Sequence, residues 1–463
     1  MHLQEKVFRL LKKQILEGTL NAGDRLLPSR VLAKEMGVSR NTVLIALDRL
    51  ATEGFVHPRK GSGCYVNADV QLTKGPSLPS VSVPRVGFVP YRTDIVDFRS
   101  GLPELSSFPV KQWGKLFKEV MDEITPTDLG YGPPEGHPAL RREIAIYLKT
   151  YRGVQCDADQ ILITSGTTQA VGIAGRLLLS DRENAAMILE DPITVDIRRI
   201  LQGLGARIHF VPVDGFGLRT EALPEDIRPR GIYITPSHQF PLGTILSAER
   251  RVRLIDYAGA RGSYIIEDDY DSEYRYDGHP ISAVQGLYPE GVVYIGTFSK
   301  TLSPAIRIGY LVLPPPLVHE ARNIKWLTDL HNSVFDQLVL ARFIREGRYY
   351  RHLQKMKKIY RAKRDFLLTR LKAHLGDRIE ILGENAGLHL CVRFAGTSFT
   401  PKRVAALEKH GVRVYPASEH ASDQNRFTDT ILLGFGMLSL EKMQDGVALL
   451  SEFLGREKGP LAN

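Results

Sequence analysis

The chain has 463 residues, 43% hydrophobic and 24% charged, an ordinary globular composition at a length that calls for two or more domains. No run approaches the ~18 apolar residues of a membrane span, and the N-terminal MHLQEKVFRLLKKQILEG is amphipathic rather than a signal peptide. Cys64, Cys156 and Cys391 have neither metal-ligand nor disulfide spacing, so a cytoplasmic protein without a metal centre is expected. The net charge is +9, and residues 1–75 hold 12 basic against 7 acidic side chains. A phosphate backbone would be met at that end.

In chain order, residues 4–17 show helical spacing with Val7, Leu10, Leu11 and Ile15 on one face, ended by Gly18. Ser29 can cap a short helix through Met36, Gly37 permits a tight turn, and Ser39 can cap a longer helix with Val43, Ala46, Leu47 and Leu50 inward. That is helix-turn-helix spacing. FVHPRKGSGCYV then reads as two short strands around a Lys-Gly-Ser-Gly turn, a wing. The first residues of a second helix of this kind enter the major groove, where Arg and Asn read base edges. Ser39, Arg40, Asn41 and Thr42 hold those positions, and Arg59 and Lys60 on the wing would meet phosphate or the minor groove. The helical period alone would equally suit a small helical domain with a solvated Arg-Asn pair. With GDRLLPSR, GVSRNTV, LATEGFV and GSGCYV, however, residues 3–66 closely resemble the GntR-type winged-helix domain.

Residues 68–93 are rich in Pro, Ser and Gly and read as a linker between a domain at 1–67 and another at 94–463. Beyond it, ILITS, AAMILE, RIHFVPV, GIYIT, SYIIEDD, VVYIGTF and IGYLVLP alternate with helical patterns. This predicts a mainly parallel α/β sheet, followed by a smaller α+β lobe.

Chemistry gathers around GTFSKTLSPAIRIGYLVLP. An aldehyde cofactor needs a lysine amine, and its phosphate needs hydroxyls and a guanidinium. Lys300 has Thr297 and Ser299 just before it and Arg307 seven residues on. Ser165, Gly166 and Thr167 follow a strand and open a helix, a setting that suits a phosphate. Asp268 ends a buried strand where a carboxylate could pair with a protonated pyridine nitrogen, and Tyr270 lies two residues on. Tyr131 in YGPPEG completes the set.

With TPSHQFPLGTILS and EDDYDSEYRY, residues 94–455 resemble fold-type I aminotransferases, and the whole chain resembles the MocR/GabR-type regulators. That resemblance implies pyridoxal 5′-phosphate as cofactor, Lys300 as its Schiff-base lysine, Asp268 as ring-nitrogen partner and Tyr270 near the phenolic oxygen. It further implies Ser165, Gly166, Thr167, Thr297, Ser299 and Arg307 around the phosphate, and Tyr131 reaching a neighbouring subunit's cofactor in a homodimer. Double-stranded operator DNA is the implied partner, and the cofactor itself or an amine forming an imine at Lys300 the implied effector.

Three positions depart from the enzymes. Phe240 stands where they carry Asn, Thr194 where a ring-stacking aromatic is usual, and Leu432 where an Arg forks onto the substrate carboxylate. Arg198 or Arg413 could substitute for that arginine. His389 is expected to be a hydrogen-bonded structural residue. A sensor without productive transamination is the expectation. The alternatives are a working aminotransferase with an appended DNA-binding domain and a large domain that serves only as a cofactor-free scaffold.

Overall fold

A computed structural model describes residues 3–70, 72, 91–179, 185–278 and 281–456, in two compact units divided after Val89. Most of the expected linker, residues 71 and 73–90, lies outside the described residues. Among the described residues no helix is long and apolar enough to cross a membrane.

The first unit opens with α1 (Leu3–Leu16), which buries Val7, Phe8, Leu11 and Ile15. Leu10, expected inward, is 45% exposed. Phe8 replaces it because positions 8, 11 and 15 fall on one helical stripe. α2 (Ser29–Glu35) has Pro28 at its cap position and no side-chain cap. Ser29 therefore does not cap; its hydroxyl accepts from Arg40 Nε at 3.3 Å. α3 (Arg40–Thr52) is capped as expected, Ser39 Oγ accepting from Thr42 N at 3.1 Å. Val43, Ala46 and Leu50 are buried, while Leu47 is half-buried. β1 (Val56–Arg59) and β2 (Gly63–Val66) pair antiparallel as the wing, with Val56 opposite Val66 and Arg59 opposite Gly63. The apolar faces of all five elements meet in one small core.

The second unit starts at β3 (Val96–Asp97), α4 (Val110–Glu123) and α5 (Pro138–Arg152). Its large sheet then begins with β4 (Ile161–Thr164), α6 (Thr167–Leu179), β5 (Ala186–Asp191), α7 (Val195–Gly203), β6 (Arg207–Asp214) and β7 (Gly217–Leu218). It continues with β8 (Gly231–Ile234), α8 (Ala248–Arg261), β9 (Tyr264–Asp269), β10 (Val292–Thr297) and β11 (Gly309–Val312). The eight strands lie in the order β4-β11-β10-β9-β8-β5-β6-β7. β10, β9, β8, β5 and β6 are mutually parallel, whereas β11 and β7 run antiparallel to their neighbours. The central strands are buried on both faces, which is why they read as unbroken apolar runs.

α9 (Pro315–Asp329), α10 (Val334–Arg345) and the long α11 (Arg348–Leu375) lead into the smaller lobe. There β12 (Ile379–Leu382), β13 (His389–Phe394), α12 (Pro401–Lys409), β14 (Val412–Arg413), β15 (Tyr415–Pro416), β16 (Thr430–Gly434) and α13 (Leu440–Arg456) follow. β12-β13-β16-β15 form an antiparallel sheet, while β14 pairs in parallel with β3.

Candidate functional site

On α3 the side chains left exposed begin with Arg40, Asn41, Leu44 and Ile45, the face that a second helix of a helix-turn-helix turns to the major groove. Ser39 is spent on the cap, and its hydroxyl lies 2.8 Å from that of Thr42. Arg40 and Asn41 stay exposed on the first turn, with Arg40 Nε donating to Ser29 Oγ. Arg49, further along, is held by Glu5 at 2.5 Å and Glu53 at 3.1 Å. On the wing, Arg59 lies over the Tyr65 ring at 4.6 Å, and Lys60 is exposed beside it at the turn.

In the second unit a cavity of about 440 Å³ is lined by Thr167, Asp268, Tyr270 and Lys300 among others. It opens at the carboxyl ends of parallel strands, where α/β sheets bind ligands. Lys300 follows β10, and its Nζ donates to the Gly101 carbonyl at 2.6 Å. A Cβ on Gly101 would stand 2.9 Å from that nitrogen, and at φ +77 a side chain there would be strained. Burial draws the Lys300 amine below its ordinary pKa, against the charges of Asp271 and Asp268.

Asp268 is 7% exposed at the end of β9. Its Oδ2 accepts from Tyr233 Oη at 2.5 Å, while its Oδ1 is buried with no hydrogen-bond partner. Burial pushes its pKa up to about 7, with Asp269 adding to the rise and the Tyr233 hydroxyl opposing it. Such an orphaned acceptor is costly unless it meets a donor. Tyr270 Oη donates to the His238 carbonyl at 2.7 Å and lies 3.2 Å from His238 Nδ1, which is itself 3.1 Å from Asp271.

Ser165, Gly166 and Thr167 join β4 to α6. Gly166 has φ +108, and a Cβ there would lie 3.3 Å from the Arg307 guanidinium. Arg307, itself at φ +49, is exposed and has no carboxylate partner among the described residues. Thr297 Oγ1 donates to Ser299 Oγ at 3.0 Å, and Ser299 N donates back to Thr297 Oγ1 at 3.1 Å. Four of the predicted residues thus line the cavity, and Ser165, Gly166 and Arg307 gather around the start of α6. Tyr131 stands apart: it is 81% exposed and packs edge-on to His331.

The winged unit matches the family of bacterial regulatory proteins of gntR type over residues 3–66, and residues 93–428 match aminotransferase class I and II. The probable rhizopine catabolism regulatory protein MocR of Rhizobium meliloti is 35% identical, covering 99% of this chain and 94% of that protein. The chain belongs to the MocR-type transcriptional regulators. The pyridoxine biosynthesis regulator PdxR of Corynebacterium glutamicum is 32% identical over 82% of this chain and 80% of its own. The fold of the large unit is that of Pyrococcus horikoshii kynurenine aminotransferase, solved with PMP and kynurenine. The two share 26% identity and a TM-score of 0.73, covering 80% of this chain and 92% of the enzyme.

Against that enzyme frame the three departures of this regulator have physical consequences. Phe240 lines the cavity and meets Tyr270, His389 and His420 edge-on, at 6.3, 5.4 and 4.9 Å between ring centres. Thr194 also lines it. Leu432 is fully buried in an apolar cluster with Val213, Leu242, Cys391 and Ala417. Neither arginine considered as a substitute is free: Arg413 is paired with Glu408 at 2.5 Å, and Arg198 donates to the Ala421 carbonyl. His389 has the expected structural bond, Nε2 donating to the Pro241 carbonyl at 2.9 Å, and lines the cavity as well. Burial lowers its pKa to about 4, so it is neutral at physiological pH. Sequence reasoning missed Tyr233 and His238. Tyr233 gave no signal beyond a strand residue, whereas His238 stood inside a motif, TPSHQFPLGTILS, that was read for the family resemblance and for Phe240.

Proposed function

We propose that this regulator binds pyridoxal 5′-phosphate at Lys300 and operator DNA through α3 and the wing, as a cytoplasmic homodimer. In this reading the cofactor or a non-carboxylate amine is the signal, without productive transamination. One observation carries the cofactor assignment: the buried Asp268 Oδ1, with no other donor, shares a cavity with the buried amine of Lys300. Pyridoxal 5′-phosphate brings an aldehyde that condenses reversibly with a primary amine, releasing water. Lys300, its pKa lowered by burial, presents the amine in its nucleophilic form more readily than a solvated lysine would. Asp268 would accept a hydrogen bond from the protonated ring nitrogen, and Tyr270 would serve the phenolic oxygen. Ser165, Thr167, Thr297, Ser299 and Arg307 would hold the phosphate.

The choice of signal follows from the lining. Among the described residues, Lys300 is the one lysine or arginine that lines the cavity. A carboxylate buried there would lack a guanidinium and pay heavily for desolvation. An α-amino acid effector is thereby disfavoured.

Two measurements test the proposal. Adding pyridoxal 5′-phosphate to the purified full chain is expected to give the visible absorption band of a lysine-bound cofactor, lost in Lys300→Ala. With amines absent, DNA affinity is expected to change on adding the cofactor; an unchanged affinity sinks the idea that the cofactor is the signal. Multiple turnovers with any amino donor and keto acceptor would favour an enzyme instead.

A further inference from the structure

Lys325 on α9 has a side chain with no solvent exposure, a costly place for an ammonium unless its neighbours satisfy it. Its Nζ donates to Asp329 Oδ1 at 2.6 Å and to Asn332 Oδ1 at 2.7 Å. An ammonium can only donate, so the amide orientation of Asn332 follows: its oxygen faces Lys325 and its Nδ2 faces away. That Nδ2 donates to Ser165 Oγ at 3.0 Å. On the other side of the ring, Ser165 N donates to Gln169 Oε1 at 2.7 Å, which leaves Gln169 Nε2 to donate to Asp329 Oδ2 at 2.8 Å. The ring closes through Ser165, Asn332, Lys325, Asp329 and Gln169, and chemistry fixes the polarity of every bond in it.

The third Lys325 proton points to Gln169 Oε1 at 3.4 Å, and the donor that matters for a ligand is the Ser165 hydroxyl. Ser165 Oγ already accepts from Asn332, so its own hydroxyl proton is free to donate outside the ring, at the loop that opens α6 beside the Arg307 guanidinium. The chain accepts backbone strain to build this ring. Leu330, between Asp329 and Asn332, has φ +62, a left-handed conformation that a side-chain-bearing residue rarely adopts.

We propose that Lys325 and Asn332 are positioning residues that aim the Ser165 hydroxyl at the cofactor's phosphate, so that the site selects a phosphorylated pyridine aldehyde over its dephosphorylated form. This rests on the cofactor reading given above. Neither residue touches the aldehyde end, where Lys300 acts, so their effect must be confined to the phosphate.

The test compares pyridoxal 5′-phosphate with pyridoxal, each titrated into the full-length protein and followed by the visible band of the lysine-bound aldehyde. Losing a hydrogen bond to a charged group predicts that Lys325→Met, Asn332→Leu and Ser165→Ala each weaken the phosphorylated aldehyde roughly tenfold or more. Pyridoxal binding should change less than about twofold, since nothing in the ring faces it. Lys325→Met combined with Ser165→Ala should bind no worse than Ser165→Ala alone, because both act through one hydroxyl. If Lys325→Met does not fold, Asn332→Leu, which leaves the ammonium its Asp329 partner, decides the matter. Equal weakening of both aldehydes, or additive losses in the double variant, overturns the inference. No band with either aldehyde in the unmodified protein overturns the cofactor reading itself.

Discussion

Asp268 shows what a binding site costs its own fold. Its carboxyl is raised from the usual carboxylate range to about 7 by burial, and one of its oxygens has no donor. A raised folded pKa means that the stabilisation from holding the proton is complete below the unfolded value near 4 and is lost as pH climbs through about 7. Cofactor-free Asp268→Asn should therefore be more stable than the unmodified protein at pH 8. That advantage should shrink toward pH 5, by roughly 3 kcal/mol at most. The same substitution should weaken the cofactor by roughly tenfold or more, since a neutral amide replaces a charged acceptor. Urea unfolding at the two pH values and a cofactor titration read both effects; a variant less stable at pH 8 would contradict the burial argument. That Lys300, Asp268 and Tyr270 share one cavity was legible because each lies at or just past the end of a strand in a recognisable run. Tyr233, Lys325 and Asn332 were not, because their importance lies in hydrogen bonds across elements far apart in sequence.

At the scale of elements, α3 is the one whose start matters most. Ser39 caps it through Thr42 N, and Arg40 and Asn41 stand on the turn so fixed. Ser39→Ala should cost about 1 kcal/mol of winged-helix stability. It should also weaken DNA binding, because fraying there moves the two side chains proposed to read bases. Thermal unfolding together with a binding isotherm separates the two effects, and DNA affinity that survives a clear loss of stability would remove Ser39 from the recognition argument. The seven strand-like runs of the large unit correspond to β4, β5, β6, β8, β9, β10 and β11, since unbroken apolar stretches leave little choice of structure. The two-residue strands β3 and β7 left no such trace, being defined by their partners rather than by any period of their own, while the single strand-like run VRVYP divides into β14 and β15. Leu10 and Phe8 exchanged roles for a similar reason: two adjacent apolar residues at the edge of a stripe are separated only by packing.

The molecule as a whole has separate cores. Among the described residues, every residue of the winged-helix core lies between Val7 and Val70, and none of the other clusters draws on that segment. Independent cores predict independent unfolding, so calorimetry of the full chain should resolve two transitions. Pyridoxal 5′-phosphate should raise the transition of the larger unit by mass action and leave the smaller one in place when DNA is absent. A single transition that moves as one on adding cofactor would show the units to be thermodynamically fused.

The pairing of β3 with β14 sets an order of events at birth. Val96 lies opposite Val412, and Asp97 opposite Arg413, 316 residues further along the chain. The winged helix, built from neighbours in sequence, can fold as soon as it leaves the ribosome, whereas the large unit cannot close until its last stretch has been made. For that interval every nascent chain carries a DNA reader with no sensor. Premature termination before residue 412 would make that interval permanent.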